Sequence, residues 1–133
     1  MMLNKYDMEM IMRSAYYKVL EMLDMEDGPE MEIMEVMRNQ FAVGSFLREK
    51  DMILVKVQED IKDMIETLCH ELRHAWQYKR YGNYYVRVYA ELDKDDFIEY
   101  WDCEFEVDAR EFAENNYEEV YNYAIEENSD LFE

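Results

Sequence analysis

A chain of 133 residues, half of them apolar, is long enough for one domain with its own core and too hydrophobic to be disordered. Lys and Arg number 14 against 33 Asp and Glu, a net charge of −19 that disfavours direct binding to the phosphates of DNA or RNA. No apolar run approaches the ~20 residues that span a bilayer, the N-terminus is too charged for a secretory signal, and two cysteines are too few for a disulfide scaffold, so a reduced, cytoplasmic setting without membrane insertion is expected.

Met8, Ile11, Met12, Ala15, Val19 and Leu23 recur at helical spacing and predict an amphipathic helix over 7–23, with Asp7 as its N-cap. Asp27-Gly28-Pro29 breaks it with the chain's only proline. Three segments compatible with strands follow: MEIMEVMRN (31–39), FAVGSFLRE (41–49) and, most clearly, DMILVKVQE (51–59). Arg48-Glu49-Lys50-Asp51 reads as a hairpin turn between the second and third.

The next helix carries the strongest signals. Asp60 can cap it, Lys79 and Arg80 complement its C-terminal dipole, and Gly82 can end it in a left-handed conformation. Its apolar stripe runs through Ile61, Met64, Ile65, Leu68, Leu72, Ala75 and Trp76. At ~100° per residue, His70 and His74 lie about 40° apart, on the side away from the centre of that stripe. The alternation in NYYVRVYAEL (83–92) predicts an extended segment, and Asp93 or Asp95 can cap a short helix ending near Trp101. A long helix over 104–126 carries Phe105, Ala109, Phe112, Val120 and Ala124 along one side. This order of elements is that of a single α+β domain spanning residues 1–133.

Charge is unevenly spread. From Glu91 to Glu133 there are 17 acids and two bases, Lys94 and Arg110, a net −15. A solvated face is the simplest reading of such a run, and it suggests a basic substrate or partner.

His70-Glu71-Leu72-Arg73-His74 is the constellation that carries chemistry. Two histidines four apart on a helix can reach one ion, and tetrahedral zinc accepts imidazole nitrogen readily. Glu71, off to the side of that line, is placed to take a proton from a zinc-bound water. The chain has no third histidine, so a third protein ligand must be Asp, Glu or, less plausibly, Cys. The segment EFEVDAREFAE (104–114) is the expected source. Glu106 has Ala109 and Ala113 on its own helical face, and small neighbours would let its helix approach the histidines. Glu104 and Asp102 are fallback ligands, and Asp108 is a candidate partner for a histidine ring N–H. Cys69 and Cys103 read as packed residues. Tyr78, Tyr81, Tyr84, Tyr85, Tyr89 and Tyr100 surround the site in sequence. One of them, with Tyr78 and Tyr81 as the leading candidates, could donate to an oxyanion, as could Arg73 or Arg87.

HELRH followed 32 positions after His74 by Glu106-x-x-Ala109-x-x-Phe112-Ala113 resembles the glutamate-zincins, in particular the small ImmA/IrrE-like metallopeptidases of bacteria and phages. The resemblance covers roughly residues 52–113. It implies a minimal zincin-like domain: an N-terminal helix, a small antiparallel or mixed sheet, the HExxH helix and a C-terminal third-ligand helix. It also implies His70, His74 and Glu106 as zinc ligands, Glu71 as general base, and a peptide or protein as substrate, in a monomer or small homo-oligomer. Several members carry Asp four residues after the ligand Glu; here that position is Arg110, so support for a histidine must come from elsewhere.

Two other functions fit the same residues. One is a non-enzymatic acidic inhibitor or decoy, a zincin scaffold presenting its −15 surface to a nucleic-acid-binding or other host protein. The other is a structural zinc that only ties two helices together.

Overall fold

In the computed structural model, which describes residues 3–132, Asn4 opens the first helix, α1 (Lys5–Met22). Its Oδ1 accepts from the Asp7 N–H at 2.8 Å. The cap is therefore Asn4 and not Asp7, whose carboxylate instead lies in the first turn, where it favours the positive end of the helix. Ile11, Met12, Ala15, Val19 and Leu20 form the buried stripe of α1.

The three strand-like segments yield shorter strands than their patterns suggest: β1 (Glu30–Met34), β2 (Gly44–Leu47) and β3 (Met52–Lys56). β3 is central. β1 runs parallel to it, with Glu30 opposite Met52, and β2 antiparallel, with Gly44 opposite Val55. The hairpin turn at 48–51 is present, closed by Lys50 N–H to the Leu47 carbonyl at 3.1 Å. Ile53 and Val55 of β3 are buried while their neighbours are only partly covered, which is the alternation of a sheet packed on one face.

α2 (Ile61–Tyr81) starts at the expected cap, Asp60, whose Oδ1 accepts from the Lys62 N–H at 2.9 Å. Gly82 ends it at φ +52°, a backbone region that side chains with a Cβ rarely adopt. The chain then enters another helix at once, α3 (Asn83–Ala90), where an extended segment was expected. Tyr and Val favour strands, but Tyr85, Val88 and Tyr89 share one helical face and pack with Tyr78, Cys103 and Phe105 in an aromatic cluster. Tertiary burial decides against local propensity here.

Asp96, not Asp93 or Asp95, caps the short α4 (Phe97–Trp101), accepting from the Glu99 N–H at 3.1 Å. Asp93 instead holds the preceding turn through the Asp95 N–H. α5 (Glu104–Glu127) follows, then a 3-10 turn at Ser129–Phe132. The architecture is α+β, and α2 is its hub, packed against β2 and β3, α1, α3 and, most extensively, α5. Leu68 and Leu72 of α2 and Ala113, Val120 and Ala124 of α5 are all buried in the one main core. No helix among the described residues is long and apolar enough to cross a membrane.

Candidate metal centre

One turn of α2 separates His70 from His74, so both imidazoles leave the helix on the same side, with Nε2 atoms 3.1 Å apart. Glu106, in the first turn of α5, meets them. Its Oε1 lies 3.3 Å from His70 Nε2 and its Oε2 3.0 Å from His74 Nε2. The approach depends on Ala109 and Ala113, fully and almost fully buried on the same face of α5. His74 and Glu106 are each only 4% exposed, so this is an interior cluster and not a surface coincidence.

These donors fit a small divalent cation. Ligand bonds of about 2.0–2.1 Å at tetrahedral angles place neighbouring donor atoms about 3.3–3.4 Å apart, close to the separations here. Two imidazole lone pairs and a carboxylate this close repel one another unless a cation, whether proton or metal, lies among them. Among the described residues, His70, His74 and Glu106 form the only such group.

The electrostatics are those of a charged cluster in a dry setting. Burial opposes ionisation of Glu106, but hydrogen bonds with His70, His74 and Tyr89 more than offset it and hold its carboxyl well below the usual range. Burial disfavours the cationic form of His74, yet Glu106 raises its pKa overall. Glu71 is pushed up, chiefly by burial, with the two imidazoles countering in part. A carboxyl whose neutral form is made accessible in this way can both take and return a proton.

Glu71 sits where two cavities meet. One, of about 430 Å³, is lined by Val43, Gly44, His70, Trp101 and Arg110. The other, of about 450 Å³, is lined by Phe46, Arg48, His74, Tyr89, Tyr100 and Glu106. Both include Gly44 and Glu71, so the cluster is bordered by the start of the edge strand β2 and is reachable from either side.

Other candidates lie elsewhere. Asp108 pairs with Arg73, at 2.8 and 3.2 Å, and accepts from Gln77 Nε2, so it does not touch a histidine ring directly. Arg73 is thereby occupied, its guanidinium also lying 3.8 Å over the Trp76 ring. Tyr78 packs on Phe46 and Tyr85, and Tyr81 on Trp76, Tyr84 and Phe105; neither lines a cavity at the cluster. Glu104 accepts from the Tyr84 hydroxyl on the surface, and Asp102 is exposed at the end of α4. Arg87 is exposed on α3. Cys69 is buried in the main core, its thiol pushed up to about 12 by desolvation, and Cys103 lies in the aromatic cluster. Arg110 stacks on Trp101 at 3.7 Å.

Tyr89 and Tyr100, two of the six candidate tyrosines and neither of them a leading one, meet the site, and one contributor, Gln77, escaped the sequence reading. The Tyr89 hydroxyl donates to Glu106 Oε2 at 2.5 Å, and Tyr100 lines the same cavity. Tyr89 reaches the site because 83–90 is helical, whereas Tyr100 comes from α4; the i, i+3, i+4 spacing of Tyr85, Val88 and Tyr89 was the available signal for the first. Gln77 is fully buried, and its Oε1 stands 2.8 Å from His74 Nδ1. A polar residue three positions after a ligand, on a buried helical face, was its only trace.

A protein-family model described as "Protein of unknown function (DUF3920)" matches residues 18–124, a span that holds the whole cluster. No solved structure matches the chain.

Proposed function

For this chain, which belongs to the DUF3920 family of proteins of unknown function, we propose a zinc-dependent, metallopeptidase-like hydrolase acting on peptide bonds. The observation that carries the reading is the convergence of His70 Nε2, His74 Nε2 and the Glu106 carboxylate at 3.0–3.3 Å, with Glu71 beside them in a two-sided groove. Zinc at that position supplies a Lewis acid that polarises a carbonyl and makes water a better nucleophile near neutral pH.

The remaining work falls to the chain's own residues. Glu71 takes the proton of the attacking water and passes it to the leaving amine nitrogen, which regenerates the carboxylate. Tyr89 holds one oxygen of Glu106, keeping the ligand's orientation. Tyr100, 43% exposed, is a cavity tyrosine that a substrate can reach, and its hydroxyl is suited to donate to a carbonyl oxygen as charge develops there. The outer edge of β2 offers unpaired backbone groups along the groove, suiting an extended peptide added as a strand. The net −15 of residues 91–133 favours a basic peptide or protein, in a cytoplasmic setting.

The test is zinc content together with peptide hydrolysis. Purified protein equilibrated with zinc should retain close to one ion per chain and cleave members of a mixed peptide library. Glu71→Gln should keep the ion and lose cleavage by several orders of magnitude. Zinc well below stoichiometry, with no difference between wild type and Glu71→Gln, would sink the reading. The exposed acids of α5, Glu111, Glu114, Glu118 and Glu119, favour a second function, an acidic decoy for a basic protein. That function predicts salt-sensitive binding that survives Glu71→Gln.

A further inference from the structure

We propose that Gln77, anchored by Asp108 and Arg73, is the positioning residue that determines which nitrogen of His74 is offered to the metal; the inference rests on the zinc reading above. Gln77 is fully buried, and its Nε2 donates to the Phe105 carbonyl at 2.9 Å and to Asp108 Oδ2 at 2.8 Å. An amide nitrogen has two N–H groups, and both are used. Flipping the amide would set its oxygen against two acceptors with no hydrogen between them, so the orientation has one solution.

Oε1 of Gln77 therefore faces His74 Nδ1, at 2.8 Å. A carbonyl oxygen only accepts, so Nδ1 carries the hydrogen. In the neutral imidazole the lone pair is then on Nε2, directed at His70 and Glu106. Asp108 cannot easily turn away. Arg73 grips it through both Nε and Nη2, and the guanidinium is itself sandwiched near Trp76 and Phe112.

The arrangement also couples the two helices that carry the ligands. Arg73, His74 and Gln77 come from α2, while the Phe105 carbonyl, Glu106 and Asp108 come from α5. Gln77 thus sets the ring of His74 relative to the turn that presents Glu106. His70 is held differently: among the described residues its Nδ1 has no hydrogen-bond partner, and its side chain is 23% exposed. Of the two histidines, only His74 has its second ring nitrogen fixed by a protein hydrogen bond among the described residues.

The experiment compares wild type with Gln77→Met, which keeps length and burial but cannot accept, and with Asp108→Asn at a partly exposed site that tolerates change. Zinc affinity is measured by competition with a chromophoric chelator. Exchange of imidazole N–H protons is followed by ¹H–¹⁵N spectroscopy of the zinc-loaded protein. Gln77→Met should weaken zinc about 10–100-fold, and Asp108→Asn should weaken it in the same direction by less. Wild type should show one slowly exchanging ring N–H, from His74, and Gln77→Met should speed its exchange to that of His70. If Gln77→Met fails to fold, the affinity and exchange in Asp108→Asn decide. Wild-type affinity and slow exchange in folded variants would overturn the positioning role alone. Failure of the wild type to take up zinc would overturn the metal reading and this role with it.

Discussion

A β-carbon added at Gly44 would stand 3.1 Å from both Cγ and Oε2 of Glu71 and 2.4 Å from Cγ2 of Thr67. The edge strand β2 and the helix α2 meet at a spacing only glycine allows, and the carboxylate read as the general base is one wall of that contact. Gly44→Ala should therefore destabilise the protein by about 1–3 kcal/mol through overpacking and shift Glu71. Thr67→Ser removes the nearest atom while keeping the hydroxyl that donates to the Asp63 carbonyl. The double variant Gly44→Ala, Thr67→Ser should recover part of the loss, a non-additivity visible in urea melts. Wild-type stability of Gly44→Ala alone would contradict the close contact.

Ala109 is fully buried, on the face of α5 that also presents Glu106. Ala109→Leu should force α5 outward from α2, costing about 1–3 kcal/mol and drawing Glu106 away from the histidines. Zinc affinity should fall with it, whereas a substitution on the exposed side of α5, such as Glu118→Gln, should leave both unchanged. Chelator competition and thermal melts of the two variants check this. Undiminished zinc affinity in Ala109→Leu would show that the alanine does not set the approach.

A partly buried tyrosine and a buried cysteine give the protein an alkaline limit. Burial, helped by Tyr17, Asp51 and Asp27, pushes Tyr16 up to about 12, and burial raises Cys69 to about 12 from 9.0. Unfolded, these groups lose their protons near 10 and 9; folded, both keep them to about 12. The native state then binds more protons than the unfolded one, so stability falls as pH rises through that window. Urea unfolding of the metal-free protein at pH 8, 9, 10 and 11 should show the decline, and Cys69→Ala should make it shallower between pH 9 and 10. A flat profile over that range would refute the assignment.

Much of the fold was legible because local rules govern it. The Asp60 cap, the basic last turn and the positive-φ glycine of α2 act over a few residues, and each stands as its residue type predicts. The strands came out shorter because their outer residues have no partner across the sheet: β2 pairs with β3 over only four positions. Residues 83–90 went the other way. Their strand-favouring side chains become helical because Phe105 and Cys103, distant in sequence, provide a surface that a helical face covers better.

The pairing of His70 with His74, and Glu106 beside small neighbours, is determined by sequence alone, since helical periodicity of ~100° per residue fixes which side chains share a face. The same arithmetic says nothing about what stands opposite that face. Only the packing of α5 on α2 brings Glu106 to within 3.0–3.3 Å of both imidazoles. Only that packing assigns Asp108 to Arg73 and Gln77, and so gives Gln77 the contact to His74 that a one-dimensional reading assigned to Asp108. Hydrogen-bond partners across two helices depend on their relative rotation and depth, and these are decided by which side chains fill the interface between them.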